Sequence, residues 1–192
     1  PKHGFARNKP WQLTACHVDD ADQAELVMAL QHDAHTLELW PYAFALALRV
    51  SLRPNALHLE LTVTNPGTEA FTFTGALHTY LAVTDIADAS LHGLAPQPLR
   101  FTQEFDQPFT AAPQPLTLTD GHRRLVCKQS ASWPEHVIWN PGPDKSIEID
   151  DLPDDGYRHM LCIEAAAVTH VQTVLQGARW VGWQTLQCVE GP

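Results

Sequence analysis

Residues 57–64, Leu57-His58-Leu59-Glu60-Leu61-Thr62-Val63-Thr64, alternate strictly between apolar and polar side chains. Successive side chains of a β-strand point to opposite faces, so this pattern predicts a strand with one buried face and one polar face. Asn65-Pro66-Gly67 follows at once and predicts a turn.

Comparable segments occur on both sides of this strand. Shorter alternations and apolar runs predict further strands over residues 43–52, 71–74, 77–83, 116–119, 160–168 and 179–189. Residues 20–30 are the only helix candidate, and their apolar positions would also suit a strand over 24–30. Many short strands with turns between them predict an all-β, antiparallel β-sandwich. The Pro-containing stretches 95–98 and 149–155 are predicted to be loops inside one domain spanning residues 1–192.

Composition sets limits on partners and location. The chain has 192 residues, of which 44% are hydrophobic, and this is enough for one domain without a disulfide or metal to stabilise it. Its net charge of -10 argues against nucleic acid or an anionic membrane as a partner. The longest apolar run, residues 40–48, is far short of the roughly 20 that a spanning helix needs. Four scattered cysteines, none in a Cys-x-x-Cys pair, predict reduced thiols and a cytoplasmic protein.

Glu164 stands out because it interrupts the apolar run 160–168. On a strand it would share a face with Cys162 and Ala166. A buried carboxylate is costly unless it is paired. Two interpretations remain open: a structural carboxylate held by backbone donors or an arginine, or a catalytic base with a raised pKa beside a sugar-sized cleft.

Several other residues are candidates for chemistry. His78 lies in the alternating segment 77–83, where a histidine is more often structural than catalytic. His3 and Arg7 flank a glycine near the start of the sequence, where an arginine could recognise an anion or a hydroxyl. His32-x-x-His35-x-x-Glu38 has the spacing of a metal site, but it is predicted to be a solvated run.

Five motifs then occur in a fixed order: His3-Gly4-Phe5-Ala6-Arg7, Trp40-Pro41-Tyr42-Ala43-Phe44, Ala76-Leu77-His78-Thr79-Tyr80, Trp139-Asn140-Pro141, and Tyr157-Arg158-His159-Met160-Leu161-Cys162-Ile163-Glu164. Together they resemble the aldose 1-epimerase superfamily, and within it the D-hexose-6-phosphate mutarotase (glucose-6-phosphate 1-epimerase) branch. The resemblance covers nearly the whole chain.

The resemblance implies a galactose mutarotase-like sandwich that binds a sugar in a cleft on one sheet. It implies that His78 is the catalytic acid and Glu164 the catalytic base, and that His3, Arg7 and Asp106 bind the substrate. No cofactor and no metal are needed. The implied activity interconverts the α and β anomers of an aldohexose. Acid and base must both reach one sugar ring, so their side chains should lie within about 10 Å of each other.

Departures from the family pattern leave alternatives open. The opening strands of the family, with an Arg-Gly-Gly motif, have no counterpart here, so the sequence is expected to lack the front of the family domain. Arg7 with Lys2 and Lys9 favours a phosphorylated hexose, whereas a free hexose stays possible. A non-catalytic sugar-binding sandwich, with stacking on Tyr80, Trp139 or Trp40, is the other alternative. The oligomeric state is not predicted.

Overall fold

The computed structural model describes residues 3–19, 23–121 and 123–190, and antiparallel strands dominate them. The strands are β1 (Gln12–Val18), β2 (Ala24–Gln31), β3 (Ala45–Arg53), β4 (Ala56–Thr64), β5 (Phe71–Leu77), β6 (Tyr80–Ala82), β7 (Ser90–His92), β8 (Phe105–Thr110), β9 (Leu116–Asp120), β10 (Arg123–Gln129), β11 (Glu135–Asn140), β12 (Met160–Val174) and β13 (Arg179–Glu190). The helices are α1 (Ala34–Leu39) and α2 (Gly142–Ser146), with 3-10 turns at Ala6–Asn8 and Gly156–His159. Among these residues, no helix has the length and apolar character that crossing a membrane requires.

The strands form two sheets. The long sheet has eight strands in the order β1-β2-β3-β4-β13-β10-β9-β7. The short sheet has five, in the order β5-β12-β11-β8, and β6 pairs with β12 beyond the end of β5. Neighbouring strands in both sheets are antiparallel, as in the pairing of β4 with β13 and of β11 with β12. The predicted antiparallel all-β architecture is confirmed.

The core lies between the two sheets. Leu161 and Ile163 of β12 are buried in one cluster with Leu118 of β9 and Leu186 of β13. Because side chains alternate along a strand, Cys162 and Glu164 lie on the other face of the short sheet, turned away from the long sheet. That outer face therefore carries the residues that the sequence singled out.

Most strand predictions are confirmed. The alternating segment 57–64 is β4, and the apolar segment 179–189 is β13, which pairs with β4 along nine residues. The apolar run 160–168 is the first part of β12, which continues to Val174. The stretches 95–98 and 149–155 contain no strand or helix.

The helix candidate over residues 20–30 is wrong where the structure describes it, and the alternative of a strand over 24–30 is confirmed. Residues 24–31 form strand β2, and residues 20–22 lie outside the described part of the chain. Partners on both sides explain this outcome, because β2 pairs with β1 and β3 along most of its length and ladder bonding overrides weak helix propensity.

A short helix occurs where none was predicted. In α1, the Asp33 carboxylate accepts the N–H of Thr36 at 2.7 Å, and the Thr36 hydroxyl accepts the N–H of Asp33 at 2.7 Å. This reciprocal cap satisfies two N–H groups at the start of the helix and stabilises a single short turn.

The prediction of one continuous strand over residues 77–83 is also wrong. Strand β5 ends at Leu77 and β6 begins at Tyr80. Between them, the N–H of Thr79 donates to the carbonyl of Leu77 at 2.9 Å, which closes a three-residue turn centred on His78. His78 therefore sits in an interruption of the strand rather than on it.

Candidate active site

His78 and Glu164 face each other across the interrupted strand pair. The pairing register is the same on both sides of the interruption, because Leu77 pairs with Ala165 and Tyr80 pairs with Cys162. His78 therefore lies directly opposite Glu164. Nε2 of His78 lies 3.3 Å from Oε1 of Glu164. The distance is well inside the expected limit of about 10 Å for an acid and a base that serve one sugar ring. The roles of the two groups stay a prediction.

Rings surround the imidazole of His78. The Tyr80 ring stacks on it at 5.1 Å between centroids, while the rings of Trp139 and His3 approach edge-on at 5.9 and 5.5 Å. Glu164 is only 5% exposed beneath this group, whereas Tyr80 is 57% exposed. The arrangement gives a buried carboxylate beside an accessible aromatic wall, a combination that suits the apolar face and the hydroxyl edge of a sugar.

Phe5 and Gly4 fix the position and the backbone conformation of the segment 3–7. The Phe5 ring packs on Phe44 at 5.7 Å between centroids, against the buried cluster that contains Leu30 and Val63. Gly4 has a φ of 64°, which side chains other than glycine rarely adopt. This geometry brings His3 and Arg7 together, with the Arg7 guanidinium 3.4 Å from Nδ1 of His3, and both side chains are exposed beside His78.

Asp106 lies at the edge of the same face. It is on β8 opposite Trp139, and Trp139 is in turn opposite Cys162, so the three residues form one cross-strand row. Asp106 is exposed, and its negative charge acts on His78. The structure thus brings together all five predicted site residues, namely His3, Arg7, His78, Asp106 and Glu164.

The other residues proposed for the sugar are placed differently. Trp40 does not join the aromatic wall, because its ring packs against Phe71 at 4.8 Å in the cluster that also contains Phe5. The pKa of Asp33 is lowered chiefly by its hydrogen bond from Thr36, with a further contribution from the charge of Lys9. Lys9 therefore lies within reach of Asp33, and Lys2 lies outside the described residues.

Burial disfavours the charged form of the His78 imidazole in the free protein, although the carboxylate of Glu164 lies 3.3 Å away. Burial is the largest cause that lowers the pKa of His78 below its ordinary value of 6.5, and the positive charges of His3 and Arg7 lower it further. Asp106 and the backbone of His78 itself oppose this change without reversing it. An anionic ligand beside His3 and Arg7 would offset their positive charges and so raise the pKa of His78 relative to the free protein.

A second buried carboxylate on the same sheet has a structural role. Glu135 accepts the N–H groups of Val168 and Thr169 at 2.6 and 2.9 Å, where the register of β12 shifts. Burial raises the pKa of Glu135, but these bonds and that of the Thr169 hydroxyl outweigh it and leave the pKa lowered. Both carboxylates have a histidine nearby: Nδ1 of the exposed His170 lies 3.4 Å from Oε1 of Glu135, whereas Glu164 faces the more buried His78 on the aromatic-lined face.

Three side chains at the site could share a metal ion. Ligand atoms of His78, Cys162 and Glu164 lie within 4.8 Å of one another. Burial raises the pKa of the Cys162 thiol well above its ordinary value. Nδ1 of His78 is buried with no hydrogen-bond partner among the described residues, whereas a metal-bound histidine usually donates from its second nitrogen. In the other metal candidate, His35 and Glu38 are exposed on α1 with 3.9 Å between them, as expected of a solvated run, whereas the half-buried His32 is hydrogen-bonded through Nδ1 to the carbonyl of Phe44 at 3.1 Å.

Gln184 and Thr79 make a contact near His78 that was not predicted from the sequence. The Thr79 hydroxyl donates to Oε1 of Gln184 at 2.7 Å. The signal was present in the alternation of β13, where Gln184 falls in the inward register of Trp180 and Leu186. A polar residue at such a buried position calls for a hydrogen-bonding explanation.

Comparison with known proteins gives consistent relatives. A family model for aldose 1-epimerase matches residues 1–95. The chain is 32% identical to a protein from Cenchrus ciliaris named "Putative glucose-6-phosphate 1-epimerase", over 98% of this chain and 65% of that protein. It is also 32% identical to a protein of the same name from Escherichia coli (strain K12), over 91% of this chain and 63% of that protein. The chain therefore spans slightly less than two thirds of the length of these relatives.

Solved structures agree with this result. A crystal structure from Salmonella typhimurium, described as a "putative mutarotase (YeaD)", superposes with a TM-score of 0.89 at 28% identity and covers 97% of this chain and 67% of that one. The Slr1438 protein from Synechocystis sp. PCC 6803, at 20% identity and covering 97% of this chain and 68% of its own, has a TM-score of 0.78 and shows the fold alone.

The sheets and these neighbours define a β-sandwich of the galactose mutarotase-like class. The resemblance to the aldose 1-epimerase superfamily that the ordered motifs indicated is confirmed by the family model over residues 1–95 and by the relatives named above.

Proposed function

We propose that this chain is an isomerase that interconverts the α and β anomers of an aldohexose, with glucose 6-phosphate as its substrate. The observation that carries the proposal is the 3.3 Å contact between His78 and Glu164 on an aromatic-lined face, with His3 and Arg7 beside it. The names of the relatives in plant and bacteria support both the reaction and the sugar.

The base step falls to Glu164. A cyclic aldose is a hemiacetal, and its C1 hydroxyl and ring oxygen are bonded to the same carbon. As a carboxylate, Glu164 takes the proton from the C1 hydroxyl while the bond from C1 to the ring oxygen breaks. The two oxygens are close neighbours, so acid and base must be close as well, and the His78–Glu164 distance meets this requirement.

The acid step falls to His78. As an imidazolium it gives a proton to the ring oxygen, and the product is the open-chain aldehyde. Rotation about the C1–C2 bond presents the other face of the carbonyl. Neutral His78 then takes back the proton of the attacking hydroxyl while protonated Glu164 returns its proton to the carbonyl oxygen. The cycle restores both groups, and Cys162, whose pKa burial raises, takes no part as a nucleophile.

The pH dependence should differ between the free protein and the complex. In kcat/KM, activity should fall as pH rises through a pKa below the ordinary histidine value of 6.5, because burial and the charges of His3 and Arg7 lower the pKa of His78. In kcat for glucose 6-phosphate, the alkaline limb should move to higher pH, because the bound phosphate offsets those two charges. Initial rates from about pH 5 to 9 with both sugars test this, given that His78 is the acid. An alkaline limb at the same pH in kcat for glucose and glucose 6-phosphate would contradict it.

Arg7 is the proposed phosphate ligand. A protein of charge -10 repels a dianion at long range, so selectivity has to come from contacts inside the site. The planar guanidinium can hold two phosphate oxygens at once. Arg7 is exposed and is already oriented towards His3, so a phosphate can reach both side chains.

Replacing Arg7 by Ala should weaken binding of glucose 6-phosphate by about 10- to 150-fold, which corresponds to a charged hydrogen bond of about 1.5–3 kcal/mol. Free glucose should be affected much less. A titration of both proteins with both sugars measures the difference. Arg124→Ala, at an exposed arginine on β10 in the long sheet, is the matched control and should change neither affinity. Equal losses for both sugars would mean that Arg7 holds the ring or the loop, and the phosphate assignment would fall to the free-hexose alternative.

A non-catalytic sugar-binding module is the second candidate function. The exposed ring of Tyr80 beside Trp139, at 5.8 Å, favours it, because such a platform can bind a sugar without any proton transfer. Polarimetry of freshly dissolved α-glucose and α-glucose 6-phosphate separates the two functions. Faster mutarotation supports the isomerase, whereas sugar binding with an unchanged rate supports the module.

We also propose the cytoplasm as the location and a small sugar or sugar phosphate as the ligand. All four cysteines are free thiols, and Cys16 and Cys188 are exposed. A reducing compartment preserves such thiols. The chemistry outlined above moves protons only, so it calls for no cofactor.

A further inference from the structure

The hydrogen-bond ladder beside His78 is incomplete. In a regular antiparallel pair, Thr79 and Ile163 would exchange two bonds. Only one is made, from the N–H of Ile163 to the carbonyl of Thr79 at 3.3 Å. The N–H of Thr79 donates instead to Leu77, within the turn that carries His78. The carbonyl of Ile163 therefore loses its partner in the neighbouring strand.

Gln184 supplies the missing partner from the opposite sheet. Its Nε2 donates to the carbonyl of Ile163 at 2.8 Å, and its Oε1 accepts the Thr79 hydroxyl at 2.7 Å. The side chain is 1% exposed and crosses the core from β13 of the long sheet. A buried amide is costly unless its polar atoms are bonded. Here Nε2 bonds the carbonyl of Ile163 that the distorted ladder leaves over, and Oε1 bonds the side-chain hydroxyl of Thr79.

We propose that Gln184 and Thr79 are positioning residues that hold the turn at His78 open and keep its imidazole opposite Glu164. This inference rests on the proposed function of His78 as the acid. Without the amide of Gln184, the unpartnered carbonyl of Ile163 is best satisfied by the N–H of Thr79. That bond would draw Thr79 into the regular ladder, break the turn and move the imidazole.

Replacing Gln184 by Met tests the inference directly, because Met has a similar length and no hydrogen-bonding groups. We expect kcat to fall by about 10- to 100-fold, the loss associated with a displacement of about 1 Å at a catalytic group. KM should change little, because neither Gln184 nor Thr79 lines the sugar face. The NMR titration of His78, assigned by its absence in His78→Asn, should shift because the ring occupies a different environment.

Thr79 provides a matched pair of variants. Thr79→Val keeps the shape but loses the hydroxyl, and it should reproduce the loss in kcat and the shifted titration. Thr79→Ser keeps the hydroxyl and should remain close to the unmodified protein. The double variant Thr79→Val/Gln184→Met should lose little more than either single variant, because both remove the same contact. If Gln184→Met does not fold, the comparison of Thr79→Val with Thr79→Ser still tests the inference.

Asn65 is the control for a merely structural amide. It is also 1% exposed, and its Nδ2 donates to the carbonyls of Glu69 and Val174 at 2.8 and 2.9 Å, remote from His78 in the sheets. Asn65→Ala should lower stability and leave kcat and the His78 titration unchanged. If Gln184→Met behaves like Asn65→Ala, the inference is overturned. If the unmodified chain does not accelerate mutarotation, the proposed function fails, and the His78 titrations still decide whether the amide positions the ring.

Discussion

Replacing Glu164 by Gln is expected to lower kcat for mutarotation by at least about 10²–10⁴-fold, the contribution of a well-placed general base. The amide keeps the size and hydrogen-bonding capacity of the side chain but cannot accept the proton of the C1 hydroxyl. Gln has nearly the same size and shape as Glu, so it should fit the site of Glu164, which is only 5% exposed, and leave the packing of β12 intact. Sugar binding should be largely unchanged. Polarimetric rates and sugar titrations on the same preparation measure the two effects separately.

Glu135→Gln is the matched control, since it neutralises the other buried carboxylate of the short sheet. Glu135 accepts backbone N–H groups of Val168 and Thr169 and so stabilises the irregular part of β12. We expect this variant to lose stability, measured by urea unfolding, while the folded protein keeps its kcat. A fully active Glu164→Gln protein would remove Glu164 as the base and would favour a different proton acceptor.

The strands could be predicted where burial alone dictates the pattern. Strand β4 has its apolar residues at every second position because its inner face packs on the opposite sheet, whereas its neighbour β13 was predicted from an apolar run. The order of the strands in each sheet could not be predicted from the pattern of apolar residues. The position of β13 between β4 and β10 depends on contacts between segments more than 50 residues apart in sequence. The assignment of residues 1–192 to one domain likewise stays a prediction.

Two of the errors, the missed helix α1 and the unbroken strand over residues 77–83, share a physical cause, which is local hydrogen bonding that composition does not reveal. Helix α1 exists through the reciprocal cap of Asp33 and Thr36, and β5 stops at Leu77 because the N–H of Thr79 turns back on the chain. The helix and the strand end each depend on which of several nearby acceptors a single backbone N–H donates to. Alternation of side chains carries no information on that choice.

The residues of the candidate site were easier to predict than the residues that hold them in position. His3, Arg7, His78 and Glu164 lie in motifs whose order resembles one family, and the structure brings them together. Gln184 belongs to none of those motifs. Its role follows only from the register of β5, β6 and β12, which leaves one carbonyl to be satisfied from the other sheet.

Replacing His78 by Asn should reduce kcat by about 10²–10⁴-fold, because an amide at this position cannot deliver a proton to the ring oxygen. The remaining activity should also lose the alkaline limb of its pH profile, since that limb reports the deprotonation of the imidazole. Stacking on Tyr80, at 5.1 Å in the intact protein, would be weakened, so a modest rise in KM is expected as well. Rates over the full pH range distinguish loss of the acid from loss of binding.

His136 provides the matched control for this variant. It is 3% exposed on β11, on the core side with Ile138, and burial lowers its pKa to about 4. His78 and His136 thus share a sheet and a lowered pKa, but only His78 faces Glu164. His136→Asn should change stability and leave the alkaline limb of kcat/KM in place. Equal losses of kcat in the two variants would attribute the effect to disruption of the short sheet, and an alkaline limb that survives in His78→Asn would assign the acid role to another group.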